Sequence, residues 1–558
     1  MKKALCLLLL FSFVINIQSK EPKFVTKARL AQVSIVAQDA DGNLHEGQGV
    51  ILNETGDIVT EFDLLKGATK VSVFDNKGTE YAVKYICGAS SMYNIAKICI
   101  EPGKDKLTPL ELAQDNTHSG STVYVLPNAK ADKKAISTES AITDIQTFRD
   151  TYNYYTLASA LSERQISSAV LNDAGQLIGI VQNPTKSEEH AYVIDARFAA
   201  DMNITPLDAG NADLRAIPLP KRLPEGEEAA TSFILLTGAR DTVQYLTYVD
   251  DFISLYPSNA TGYVMKAEML VATQQYDKAQ QAYEAGLARE DTKKDELHYS
   301  LAKAIYELVL SPSYNTYQDW NIEKSISEAQ TAYEVNPLEI YRSQQAHSLY
   351  VAKRYDEACN LFLALTKTNM RSPELFLYAA QCKQMQEAPI DEIIAMQDSA
   401  VNCYTKPYPA AAAKAILMRA TSLAQAGKNR EAVADLNEYE HLTGGNLTAN
   451  FYYEREQIEV KCRMYPAALN DIERAIRLSP NEPFYYAECA ALNYRVNQID
   501  EAIHYAEQAI KIAPTFADPY RIIGVCYNEK GEKAKAQEYL KKAVELGDQL
   551  AQGVLDKM

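Results

Sequence analysis

Hydrolysis by a serine needs a base within hydrogen-bond reach of its hydroxyl, because an unassisted serine is a poor nucleophile at neutral pH. The 558 residues include only seven histidines, and none lies between His45 and His118. Ser167 and Ser168, in the run Ile166-Ser-Ser-Ala-Val-Leu-Asn172, would need His45 or His118 as partner to form a rearranged hydrolytic site. The simpler reading places both serines on a strand and both histidines in solvated loops. Metal chemistry has less support still. Of the nine cysteines, Cys6 falls in the apolar leader, and the other eight (Cys87, Cys99, Cys359, Cys382, Cys403, Cys462, Cys489, Cys526) form no CxxC pair. No histidine cluster has ligand spacing, so neither a metal site nor a cofactor is expected. Buried thiols acting as small hydrophobes are the expected state of these cysteines, with pairing left open.

The elements that must position these residues change character along the chain. From Lys20 to about Leu207, short alternating runs such as Ala31-Gln-Val-Ser-Ile-Val36 are cut by turns such as Asp41-Gly42-Asn43, the pattern of β-hairpins in a barrel or sandwich. From about Ala229 onward, long amphipathic segments rich in Ala, Glu, Gln, Lys and Leu predict helices. Residues 208–228, with Pro218, Pro220 and Pro224 and little periodicity, predict an extended linker.

At 558 residues, with 47% apolar and 23% charged, the chain needs more than one domain. Its formal charge of −17 offers no global positive field to a phosphate backbone, so nucleic acid is not an expected partner. Lys2 and Lys3 precede an apolar run from Ala4 to Ile17, too short to span a bilayer, and Gln18-Ser19-Lys20 follows it. Residues 1–19 are therefore expected to be a signal peptide without a lipid anchor. The rest is expected to be periplasmic or secreted, in a bacterial cell envelope, with no integral membrane segment.

The helical half repeats. A period of 34 aligns Ala468, Ala502 and Ala536, then Ala475, Ala509 and Ala543 seven residues later, with Pro480 and Pro514 at unit ends. The closing unit, with Tyr520, Ile523, Gly524, Tyr527, Ala536, Leu540 and Ala543, resembles a tetratricopeptide repeat. The small residues let the two helices of a unit approach closely, and each unit needs its neighbour. About nine helix pairs are expected over 229–548, those starting near Leu297 and Glu374 fitting the pattern poorly, with a tail at 549–558.

The β-rich half resembles trypsin-like serine proteases of the HtrA (DegP-like) type across most of residues 30–200. The resemblance rests on five segments in order: Gly47-Gln-Gly-Val-Ile-Leu52; Gly56-Asp-Ile-Val-Thr60 followed by Lys66-Gly67-Ala68; Asn94-Ile-Ala-Lys-Ile-Cys-Ile100; Ser119-Gly-Ser-Thr-Val-Tyr-Val-Leu-Pro127; and Val170-Leu-Asn-Asp-Ala-Gly-Gln-Leu-Ile-Gly-Ile180. It implies a double β-barrel over 20–207. It also implies a catalytic triad, but the position of the general base holds Asp63, that of the orienting aspartate holds Asn94, and that of the nucleophile holds Ile166. An aspartate is a weak base at neutral pH and isoleucine cannot attack. The glycine-rich segment that would present amides to an oxyanion is replaced by Gln165 to Ala169, without glycine. The family's peptide-binding PDZ module is absent, with the repeats in its place.

An inactive protease scaffold carrying an interaction module is the reading that follows, with a divergent serine peptidase as the alternative. In tetratricopeptide repeats the first helix of each pair lines a groove, and its outward positions correspond here to His347, Tyr350, Tyr453, Gln457, Phe484, Tyr494, Arg495, Arg521 and Asn528. Aromatic residues and arginine anchor protein interfaces, so a protein or peptide is the expected partner.

Overall fold

The computed structural model describes residues 21–114, 117–130, 135–182, 190–238, 241–312 and 317–558. The expected signal peptide lies outside the described residues. The β-rich half forms two closed six-stranded barrels, and helices follow, as the change of period predicts.

The first barrel contains β1 (Gln32–Asp39), β2 (Leu44–Ile51), β3 (Asp57–Thr60), β4 (Ala68–Phe74), β5 (Glu80–Ser90) and β6 (Ile95–Ile100), closed in the order β1-β2-β3-β6-β5-β4. The second contains β7 (Thr122–Val125), β8 (Thr138–Phe148), β9 (Tyr152–Leu157), β10 (Ala169–Leu171), β11 (Leu177–Val181) and β12 (Ala191–Asp195), closed in the order β10-β11-β12-β9-β8-β7. The β1–β2 turn follows its sequence: the Asp39 carboxylate accepts from the amides of Asp41 (3.0 Å) and Asn43 (2.9 Å). Glycine is required where strands crowd. A Cβ on Gly49 would stand 2.7 Å from the Val59 carbonyl oxygen, and one on Gly179 would stand 2.3 Å from that of Ile194.

Residues 208–228 are not the extended linker their prolines suggest. Asn211 caps a short helix, Ala212–Arg215, and the chain then lies against β5, where the Ile86 amide donates to Pro220 O (2.8 Å) and the Arg222 amide donates to Ile86 O (2.9 Å). Leu214, Ile217, Leu219 and Leu223 are buried, and Arg222 pairs with Asp57 at 2.8 Å. The reason is the spacing of the apolar residues among the prolines: a proline still offers its carbonyl, and these side chains share a core with Phe233, Tyr248 and Phe252. The compact unit accordingly runs to Lys293, and the helices Glu227–Thr237, Thr242–Leu255, Ala260–Ala272 and Tyr276–Leu287 belong to it.

The second unit, from Lys294, consists of antiparallel helix pairs. The segments that fit the repeat pattern poorly form pairs as well, Lys294–Leu310 with Ile322–Val335 and Pro373–Met385 with Ile390–Val401. Ala468, Ala502, Ala536, Ala475, Ala509 and Ala543 are all fully buried. A Cβ on Gly524 would stand 2.6 Å from Leu540 Cγ, which measures how closely Ala517–Glu529 approaches Lys533–Glu545. The expected tail at 549–558 is largely a helix, Gln549–Leu555, whose Asp548 cap accepts from the Leu550 amide at 2.9 Å. Its Ala551 packs with Leu540 and Ala543, covering an apolar face that the last repeat would otherwise expose.

Candidate functional site

Two of the three degenerate triad positions meet. Thr60 ends β3, Asp63 lies in the helical turn Phe62–Leu65 that follows, and Asn94 precedes β6 in a left-handed conformation (φ 43°). The Asp63 amide donates to Asn94 Oδ1 at 2.9 Å, so the base and orienter positions touch through backbone and amide rather than through an imidazole and a carboxylate. The Asp63 side chain is exposed. Next to it, burial and the neighbouring Asp63 charge push the Glu61 carboxyl above the usual carboxylate range.

Ile166 is half-buried at the start of the turn leading into β10, and its backbone environment bears on catalysis more than its side chain does. An oxyanion hole needs free amides. Here the Ile166 amide donates to Glu163 O (3.2 Å), that of Ser167 to Val181 O (2.8 Å) and that of Ser168 to Gln165 O (3.0 Å). Gln48, 2% exposed, fills the adjoining space. Its Nε2 donates to Ile166 O (2.6 Å), Ser168 Oγ (2.9 Å) and Arg164 O (3.2 Å), and its Oε1 accepts from the Ala129 amide (2.9 Å). Sequence reasoning missed this residue. Its signal was a polar side chain between two glycines at the start of an apolar strand.

Ser167 has a positive φ of 61° and a buried hydroxyl without a hydrogen-bond partner, while Ser168 is tied to Gln48. The histidines proposed as their partners are engaged elsewhere. His45 faces Asp39 (3.4 Å), and His118 contacts Ser119 O (3.1 Å) and Ser121 Oγ (3.2 Å). Beside the degenerate positions is an open cavity of about 550 Å³, lined by polar and charged side chains including Glu46, Glu61, Lys130 and Arg164.

The repeat candidates separate into two groups. Tyr453 packs edge-on against Phe484 (5.3 Å), Gln457 donates to Glu456 (2.7 Å) and reaches Glu488 (3.5 Å), and the exposed Arg495 carries positive charge to both glutamates. These four form one patch on two successive first helices, Ala449–Lys461 and Pro483–Arg495. Asn528 is half-buried on the following first helix. Other candidates serve packing. His347 packs edge-on against both Phe362 (5.2 Å) and Tyr378 (4.8 Å), which stack on each other, Tyr350 lies edge-on to Tyr355 (5.5 Å), and Tyr494 joins the apolar contacts of Ile503 and Ile522. Arg521 donates to Asp548 at 2.6 Å and to Asp518 at 3.1 Å, fastening the last helix.

A charged layer that sequence reasoning did not find lies behind the patch. Arg455, 4% exposed, forms a fork with Asp471 (2.6 and 2.9 Å) and also pairs with Glu440 (2.8 Å). Glu456 and Glu459 are buried on the same helix, and burial pushes both carboxyls up to about 7.

Among the described residues no helix is long and apolar enough to cross a membrane. Residues 47–180 match the trypsin-like peptidase domain family, and residues 517–546 match a tetratricopeptide repeat. The chain carries both. It is 38% identical over 82 residues to small glutamine-rich tetratricopeptide repeat-containing protein 2 of Mycosarcoma maydis, a match covering 15% of this chain and 23% of that protein. The protein of the same name from Saccharomyces cerevisiae is 32% identical over 82 residues, covering 15% of this chain and 24% of its own length. The chain thus spans about a quarter of the curated relatives it matches. A solved structure of the HtrA-type protease AlgW with tripeptide has 18% identity and a TM-score of 0.28, covering 32% of this chain and 62% of that one.

Proposed function

We propose that this chain is an exported protein-interaction scaffold, with a trypsin-like domain that does not cleave peptides and repeats that bind a protein or peptide. The single observation that carries this reading is the state of the turn Ile166–Ser168. Its three amides are donated to protein carbonyls, and Gln48, in place of a base, donates to the Ile166 carbonyl and the Ser168 hydroxyl. Removing triad members from a serine protease leaves only the assistance of the oxyanion hole and of binding, and here those donors are occupied too. The periplasm or extracellular space is the proposed location, on the strength of the leader at residues 1–19. The patch of Tyr453, Gln457, Phe484 and Arg495 is the proposed contact surface, because its aromatic and arginine side chains are of the types that anchor interfaces.

One observation favours the second reading, a divergent peptidase: the strained Ser167 with its unpartnered hydroxyl. Incubation with unfolded casein and with a fluorophosphonate probe decides between the two. Neither turnover nor labelling is expected. Turnover that Ser167→Ala abolishes would establish a rearranged hydrolase and remove the scaffold reading.

A further inference from the structure

We propose that Cys87 and Cys99 are a thiol–disulfide pair, closing to a cystine between β5 and β6 when the reduced chain folds with a low-molecular-weight disulfide as oxidant. The bulge that breaks the β5–β6 register between Ile86 and Gly88 makes Cys87 the extra residue, next to the Tyr85–Cys99 pairing. Cys87, Cys99 and Asp57 bring their two sulfurs and a carboxylate oxygen within 4.8 Å of one another. The two thiols are buried, at 2% and 6% exposure. Cys99 Sγ also donates to Ile100 O (3.4 Å), as Cys359 Sγ does to Ala379 O and Cys403 Sγ to Ser399 O in the repeats.

The same three residues could in principle hold a metal, but the charge around them opposes it. Arg222 already donates to Asp57 at 2.8 Å and sets its positive charge beside both sulfurs, so a divalent cation would have to displace the arginine from its carboxylate. That environment suits a thiolate instead. The contact of the two thiols with each other lowers Cys99 and raises Cys87, burial raises both, and the Arg222 charge lowers both.

The order of events follows. One of the two thiols, as its thiolate, attacks one sulfur of glutathione disulfide, forming a mixed disulfide and expelling one glutathione thiolate. The other protein sulfur, giving its proton to that thiolate, attacks the protein sulfur of the mixed disulfide and expels the second glutathione thiolate, which takes a proton from solvent. Counting the proton that the first thiol had released, two protein thiols and one glutathione disulfide become one cystine and two glutathione thiols. The pairing belongs to neighbouring strands, so it is available before Pro220 and Arg222 dock on Ile86 and close the site.

The test unfolds and reduces the full-length protein, refolds it with oxidised and reduced glutathione, quenches with acid, alkylates in denaturant with N-ethylmaleimide and maps the peptides. Cys87 and Cys99 should lose alkylation together and be recovered as one linked peptide pair, two hydrogens lighter, while the six cysteines of the repeats stay alkylated. Cys87→Ser and Cys99→Ser should each trap glutathione on the remaining cysteine. If the chain does not refold, the same mapping is made on protein folded during synthesis in a host with an oxidising glutathione pool. Full alkylation of both wild-type cysteines overturns the proposal. Stoichiometric zinc in the reduced protein, lost in Asp57→Asn, would make this a metal site and also overturn it.

Discussion

The barrel cleft and the charged layer of the repeats handle buried polarity in opposite ways. At the cleft, one uncharged side chain, Gln48, satisfies three acceptors and takes up one donor, and the amides around Ile166 are all used. In the repeats, one arginine serves Asp471 and Glu440, and the carboxylates exceed the cations, leaving Glu459 Oε2 buried without a partner. The difference separates a place where polar groups are paired off by neutral bonds from a place where charge is still held ready to respond. The Gln48 bonds contain no titrating group, and the charged layer does.

The largest effect should come from breaking the layer at its centre. Arg455→Ala would leave Asp471 without its cation inside the protein and Glu440 with Arg474 alone. Removing one partner of a buried ion pair costs about 3–5 kcal/mol, because the other charge stays desolvated. A denaturant titration of the variant should show that loss. Stability within about 1 kcal/mol of the parent would mean that water reaches the layer and that the contrast with the cleft is overstated.

The corresponding change in the cleft should be smaller. Gln48→Ala would strand the Ser168 hydroxyl, the Ile166 carbonyl and the Ala129 amide, at about 1–3 kcal/mol for buried groups left unsatisfied. Proteolytic activity should not appear, since the amides of the turn stay committed to carbonyls. Comparable in size is Ala536→Leu, which should overpack the contact between paired helices by about 1–3 kcal/mol. A melt unchanged by Ala536→Leu would count against the register of the repeats.

How much of this could be read in the sequence differs between the two regions for a physical reason. Repeat packing was legible because small residues recur at a fixed spacing, and Ala468, Ala502 and Ala536 are buried where that spacing places them. Asp63, Asn94 and Ile166 could be located because each lies beside a strand whose pattern survives, Asp63 after β3, Asn94 before β6 and Ile166 before β10. Gln48 was not, since nothing local says that a residue on β2 will bond to a turn more than a hundred residues later. The strap at 208–228 was misread because its prolines outweighed its apolar spacing, and the Cys87–Cys99 approach depends on a bulge that strict alternation cannot reveal. Among the groove candidates, position on the helix could not tell that Tyr378, from the next repeat, covers His347.

The smallest effect sharpens the contrast in pH dependence. Glu459 is raised to about 7 first by burial and then by the negative charge of Asp471, while Arg455 works against the shift. A carboxyl whose folded value lies above its unfolded value favours the folded state most when protonated. Its contribution is therefore fully present below the unfolded value near 4.3 and is lost as pH rises from there to about 7. Glu456 acts in the same direction over the same range. Melting temperature should fall between pH 5 and pH 8, and Glu459→Gln, which keeps the shape and cannot ionise, should reduce the slope. A shift of one unit corresponds to about 1.4 kcal/mol, so the variant should gain on the order of 1 kcal/mol over the parent at pH 8 and little at pH 5. Because the cleft has no such group at Gln48, Gln48→Ala should leave the slope unchanged. Parallel pH profiles for the parent and Glu459→Gln would show that Glu459 contributes no pH dependence between pH 5 and pH 8, and the responsive layer would then have to be sought at Glu456 alone.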